Sequence, residues 1–143
     1  MHFEFKVQGG DFVRAGNASS QVKKILKQLN VDSSVIKRIV VALYEGEVNI
    51  AAHAFNGVIY VDIDTERIII KLDDNGPGIP DINLAMQPGY STASPIVREM
   101  GFGAGMGLPN IKDNTDEFKI TSEVGKGTCL EILVNLKVNQ EGV

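Results

Sequence analysis

The chain has a single cysteine and no tryptophan in 143 residues. One cysteine, Cys129, excludes an internal disulfide. Its place inside an apolar run reads as a small buried hydrophobe rather than a nucleophile. Histidine is almost as scarce: His2 and His53 are the two present, and no Cys/His cluster has zinc spacing. Basic charge is in deficit, with 14 Lys and Arg against 18 Asp and Glu, a net charge of −4. That argues against nucleic acid, which calls for a basic face. It leaves open a phosphate site built from backbone N–H groups and a metal ion. No apolar run reaches the about 18 residues of a membrane span, and the opening MHFEFKV lacks the apolar stretch of a signal peptide. The expectation is a cytoplasmic protein that engages neither membrane nor nucleic acid.

What is present is an ordinary globular balance, 43% hydrophobic and 22% charged, at a length that suits one domain over residues 1–143. Phe3, Phe5 and Val7 alternate with polar neighbours and predict a half-buried strand over 2–8. After Gly9-Gly10, Asp11 is placed to cap a helix over 12–29, with Val13, Val22, Ile25, Leu26 and Leu29 on its apolar side. Asp32 or Ser33 caps a second helix, about 34–55, that is apolar nearly all round and so predicted to be buried on two faces. Polar residues on such a helix need a reason to be there. Val58–Ile63 and Arg67–Leu72 read as an antiparallel hairpin. The following run, Asp73 to Pro80, reads as irregular. A short helix over 81–86, a Gly/Ser/Thr/Ala-rich loop over 87–107, a helix over 107–114 and two last strands, 118–123 and 128–136, complete the order. A loop that long in a compact domain is usually functional or disordered. The order predicts an α+β two-layer sandwich: a mixed, mostly antiparallel sheet covered on one face by helices.

Three motifs carry chemistry. On the second helix, Glu45 and Asn49 are four apart, about 40° around the axis, so they share a side. Glu47 lies about 160° from Glu45 and cannot easily join them. The Asn amide oxygen is a hard ligand suited to Mg²⁺, and the Glu carboxylate can take a proton from an attacking hydroxyl. The second motif, Asp74-Asn75-Gly76-Pro77-Gly78, follows a strand. Its acid can accept from a purine amino group, and its glycines let backbone pass close to a flat ligand. The third, Gly101-Phe102-Gly103-Ala104-Gly105-Met106-Gly107-Leu108, leads into a helix, an arrangement suited to anions. It is neither a Walker A loop, which needs Gly-Lys-Ser/Thr, nor a Rossmann fingerprint, which should follow the first strand.

In sequence order these motifs resemble the N box, G1 box and G2 box of the GHKL (Bergerat-fold) ATPases, over roughly residues 35–136. Asp74 to Ile82, Pro88 to Ala93, Gly103 to Asn110 and Val124 to Thr128 resemble the single-domain anti-sigma and stressosome switch kinases of that superfamily. The resemblance implies ATP and Mg²⁺ as cofactors. It implies that Asn49 binds the metal, that Glu45 orients or deprotonates a substrate Ser or Thr, and that Asp74 reads adenine with Thr128 in support. Gly76 and Gly78 would shape the adenine wall. Gly103, Gly105 and Gly107, with Leu108, would wrap the triphosphate beneath a lid at about 87–107, from which Arg98 would reach the γ-phosphate. His53, inside the same helix, reads as structural. The partner implied is a STAS-domain anti-anti-sigma factor, a sigma factor, or both, with homodimerisation as a further possibility. One departure stands out: the segment between Thr92 and Gly101 is longer and more apolar than the short glycine connection of the switch kinases. Three functions are open at this point: a serine/threonine kinase, a non-catalytic ATP-dependent binding switch, and a detached histidine-kinase catalytic domain.

Overall fold

The computed structural model describes residues 1–87 and 107–139; Arg98, Gly103, Gly105 and almost all of the expected lid lie outside the described residues. The elements are β1 (His2–Gln8), α1 (Asn17–Gln28), α2 (Ser33–His53), β2 (Asn56–Ile63), β3 (Arg67–Asn75), α3 (Ile82–Ala85), α4 (Gly107–Asp113), β4 (Glu117–Glu123) and β5 (Gly127–Asn135). The strands form one sheet in the order β1-β2-β3-β5-β4, and all four pairings are antiparallel. The α+β expectation holds, with no parallel pair among the described strands.

Strand alternation divides the sheet into two faces. Ile59, Val61, Ile68, Ile70, Leu72, Leu130, Ile132 and Val134 are buried on the inner face, under Val22 and Leu26 of α1, Ile39 and Leu43 of α2 and Ile111 of α4. The outer face carries a charged row across the sheet: Glu4, Tyr60, Lys71, Glu131 and Lys119 stand opposite one another in register. Opposite charges alternate along most of that row, which suits a face turned to water. Cys129 sits half-buried between Asp73 and Thr121, and burial pushes its thiol up, away from the reactive thiolate.

Two local expectations are corrected. The first helix starts at Asn17, not at residue 12. Asp11 closes only a turn, its Oδ1 accepting from the Arg14 N–H at 3.2 Å. The first turn of α1 is capped from α2 instead. Glu47, 2% exposed, accepts from the backbone N–H groups of Gly16 and Ala18 at 3.1 Å each and of Ser19 at 2.7 Å. A helix N-terminus leaves such donors without intrahelical partners and carries positive dipole, so a carboxylate is a fitting cap. Secondly, β3 does not stop at Leu72. It continues through Asp73, Asp74 and Asn75, because β2 reaches back to Gly57 and Asn56 and pairs them.

Candidate functional site

Helix α2 runs through the middle of the helical layer, with α1 on one side and α4 on the other. Asp32 caps it, accepting from the Ser34 N–H at 3.2 Å. Gly46 lets it settle on β3, since a Cβ there would overlap the Leu72 side chain. The close approach brings α2 onto the strand that carries Asp74. On α2, Glu45 and Asn49 are half-buried. Asn49 lies against the start of α4: a Cβ on Gly107 would stand 2.8 Å from Asn49 Oδ1 and 3.0 Å from Nδ2. No side chain larger than glycine's fits between them without moving the amide. Leu108, next along, is half-buried and packs against the core. Burial lowers the pKa of His53 at the end of α2, which favours the neutral imidazole.

Asp74 is the penultimate residue of β3. Its Oδ1 accepts from the Thr128 N–H at 3.1 Å, a contact 54 positions apart in the chain. Burial holds the Asp74 carboxyl above the ordinary carboxylate range. The N–H groups of Thr128 and Gly76 work against that shift, and the neighbouring Asp73 adds to it. Around this acid, glycine backbone fills space no side chain could share. A Cβ on Gly127, which has φ of 142°, would overlap the Asp74 carbonyl oxygen, and one on Gly76 would stand 3.0 Å from Ala54 Cα.

The loop after β3 is fastened to the β4–β5 hairpin. The Gly125 N–H donates to the Pro77 carbonyl at 2.8 Å, and the Ile79 N–H donates to Ser122 Oγ at 2.7 Å. Gly78, at φ of 79°, runs so close to the hairpin that a Cβ would overlap the Glu123 carbonyl. Ser122 Oγ also lies 2.9 Å from Thr128 Oγ1 and 3.1 Å from the Gly127 carbonyl oxygen. The structure thus brings Asp74, Gly76, Gly78 and Thr128 into one cluster and Asn49 and Gly107 into another, both bordering α2.

Two residues with clear structural work were given no role from the sequence: Glu47, set aside only as lying away from Glu45, and Ser122. Each had a signal. Glu47 is a charge on a helix apolar nearly all round. Ser122 is a polar residue on the same side of β4 as Phe118 and Ile120, where alternation calls for an apolar one.

Residues 32–138 match the family described as "Histidine kinase-, DNA gyrase B-, and HSP90-like ATPase". The chain belongs to that family. It is also 35% identical over 127 residues to the serine/threonine-protein kinase RsbT of Bacillus subtilis, a match covering 86% of this chain and 87% of that protein. The anti-sigma F factor of Geobacillus stearothermophilus is 28% identical over 136 residues, covering 91% of this chain and 88% of the relative. Among solved structures, the fold resembles the RsbU and RsbW domains of a Mycobacterium tuberculosis protein, with a TM-score of 0.65 and 15% identity. That likeness covers 100% of this chain, which spans 34% of the longer protein. At that identity the likeness concerns the fold. Among the described residues no helix is long and apolar enough to cross a membrane.

Proposed function

We propose that this protein is an ATP-dependent serine/threonine kinase of the anti-sigma type. The observation that carries the reading is the pairing on α2: a half-buried acid, Glu45, one turn before a half-buried amide, Asn49, that lies against Gly107. Full-length likeness to RsbT and to anti-sigma F factors supports it.

The residues present fit a magnesium nucleotide. Asn49 offers a hard neutral oxygen of the kind Mg²⁺ takes alongside phosphates and water. Asp74 offers a half-buried acceptor for an exocyclic amine, and Gly76 and Gly127 keep side chains out of the space around it. Bound ATP would supply the phosphoryl group. Glu45 would orient the substrate hydroxyl and accept its proton, the one acid–base task in a reaction that otherwise depends on positioning and charge neutralisation. Arg98, Gly103 and Gly105 are assigned to the γ-phosphate and triphosphate on the family resemblance alone. The substrate is a Ser or Thr on a small STAS-domain regulator, with a sigma factor as a second partner.

The test is to incubate the chain with labelled ATP, Mg²⁺ and a STAS-domain candidate. Acid-stable label on the partner, lost on Glu45→Ala while ATP binding persists, is the expected result. ATP binding without transfer to any partner would favour a binding switch, and acid-labile label would indicate phosphohistidine.

A further inference from the structure

We propose that the open edge of β1 pairs with β1 of a second copy of this chain. The pairing joins two five-stranded sheets into one antiparallel sheet about a twofold axis at Phe5. It uses no residue of the nucleotide site, so its failure leaves the kinase reading untouched.

β1 ends the sheet, with β2 as its one neighbour. The Met1 ammonium donates to the Ile63 carbonyl, and the Ile63 N–H donates to the Met1 carbonyl, both at 2.9 Å. Met1 and Ile63 are therefore a hydrogen-bonded pair. Alternation then makes Phe3 with Val61, Phe5 with Ile59 and Val7 with Gly57 the next such pairs. The Gly9 N–H donates to the Phe55 carbonyl at 2.8 Å, in step with that series. The backbone groups of His2, Glu4, Lys6 and Gln8 consequently point away from β2, along the open edge. β1 carries no proline, and its pairing with β2 runs from His2 to Gln8 without a bulge, so two common protections of an edge are missing.

An antiparallel partner must set outward-pointing residues opposite one another. With two identical strands, the twofold axis then falls on a residue of β1, and that residue decides which charges meet. An axis at Glu4 opposes Glu4 to itself, and one at Lys6 opposes Lys6 to itself; like charges directly opposite are destabilising. An axis at Phe5 overlaps the whole strand and sets Glu4 opposite Lys6 twice. On the inner face it sets Phe5 against Phe5 and Phe3 against Val7, at the closer, non-hydrogen-bonded positions. Those three side chains are half-buried, whereas Ile59 and Val61 of β2 and Ile68 and Ile70 of β3 are 0% exposed. A second copy supplies the neighbour that the end strand lacks. Both charges are available to it. Among the described residues, Glu4 has one ion pair, an exposed contact with His2 Nε2 at 3.7 Å, and Lys6 has none.

The test is sedimentation equilibrium of the full chain, without nucleotide, up to about 1 mM. A single strand edge buries less than a standard interface, so the expected Kd is on the order of 10–100 µM. Glu4→Lys and Lys6→Glu are each expected to raise it about tenfold or more, since each makes both cross-strand pairs like-charged. The double variant Glu4→Lys/Lys6→Glu is expected to return to the wild-type Kd. An equimolar mixture of the two single variants is expected to form a heterodimer, because each supplies the charge the other lacks; the heterodimer also shows that both variants fold. A wild-type chain that stays monomeric at about 1 mM overturns the proposal. So does a dimer whose Kd the single variants leave unchanged, which would place the contact on another face. Single variants that weaken the dimer without rescue in the double variant or the mixture overturn the Phe5 register and the proposal with it.

Discussion

Glu47 Oε1 accepts a 2.7 Å hydrogen bond from the backbone N–H of Ser19, joining the buried middle of α2 to the first turn of α1. The same carboxylate takes the N–H groups of Gly16 and Ala18 through its other oxygen. Ser19 is itself buried, and its hydroxyl donates to the Gly16 carbonyl at 3.0 Å. Two residues along α2 from Glu45, an acid of the same type therefore serves architecture. Glu45 itself is half-buried and on another side of the helix.

Glu47→Ala is expected to destabilise the fold by about 2–4 kcal/mol, because it removes a helix cap and leaves buried donors unpaired. Glu45→Ala should cost less than about 1 kcal/mol, as a half-buried side chain without such a set of partners. Urea unfolding of the two variants side by side checks the contrast. Equal midpoints would remove the distinction between the two acids.

Asp74→Asn is expected to separate stability from binding. The folded-state pKa of Asp74 is raised, so its contribution to stability is fully present below the ordinary carboxylate range and is lost as pH rises through the raised value. At neutral pH the ionised acid is a cost, and the neutral amide should leave the melting temperature of the nucleotide-free chain unchanged or higher. ATP affinity should fall at least about tenfold, the loss of a charge-assisted bond. Thermal melts at neutral pH and at about pH 3, with calorimetric ATP titration, would test both halves. A lower neutral-pH melting temperature would contradict the first, and unchanged affinity the second.

Two glycines of one hairpin should respond differently to alanine. Gly125, at φ of 84°, has open space around its missing Cβ, so Gly125→Ala meets backbone strain alone, about 1 kcal/mol. At Gly127 the added carbon would also strike the Asp74 carbonyl, and Gly127→Ala should cost about 3 kcal/mol or more. Gly127→Ala should also weaken ATP, since Thr128 moves with it. The gap between the two unfolding midpoints is the measured quantity.

Asp116 predicts an acid-sensitive junction. Its Oδ2 accepts from the Asn135 N–H at 2.7 Å and its Oδ1 from Arg38 Nη2 at 3.0 Å, tying β5 and α2 to the start of β4. The Asn135 N–H first, and then Arg38, hold its pKa below the ordinary carboxylate range. A lowered acid stabilises the fold above its unfolded value, and that stability is lost as pH falls through the folded value. Asp116→Ala should therefore cost about 1 kcal/mol at neutral pH, the scale of one partly exposed charge-assisted contact. The gap to wild type should close as pH falls below about 3. A gap that stays constant between pH 7 and pH 3 would exclude this linkage.

Much of the fold was legible along the chain because periodicity and turn chemistry are short-range. Alternation marked β1, β-branched runs marked β2 and β3, an apolar surround marked α2 as buried, and Asp32 or Ser33 marked its start, the structure choosing Asp32. The residues of the proposed site were legible by type and spacing: Glu45 and Asn49 one turn apart on one helix, Asp74 near a strand end, Gly107 at the start of a helix. Tertiary structure alone decided who answers whom across long separations. It put β5 between β3 and β4, so that Thr128 meets Asp74 and Ser122 meets both Ile79 and Thr128. It carried β3 on to Asn75, because a strand lasts as long as its partner does, whatever turn residues it contains. It moved the start of α1 from the neighbourhood of Asp11 to Asn17, where a buried acid on another helix, Glu47, meets the N–H groups of the first turn. Sequence spacing has no term for such a partner. A hydrogen bond depends on where packing puts two groups, and packing is set by the whole core at once.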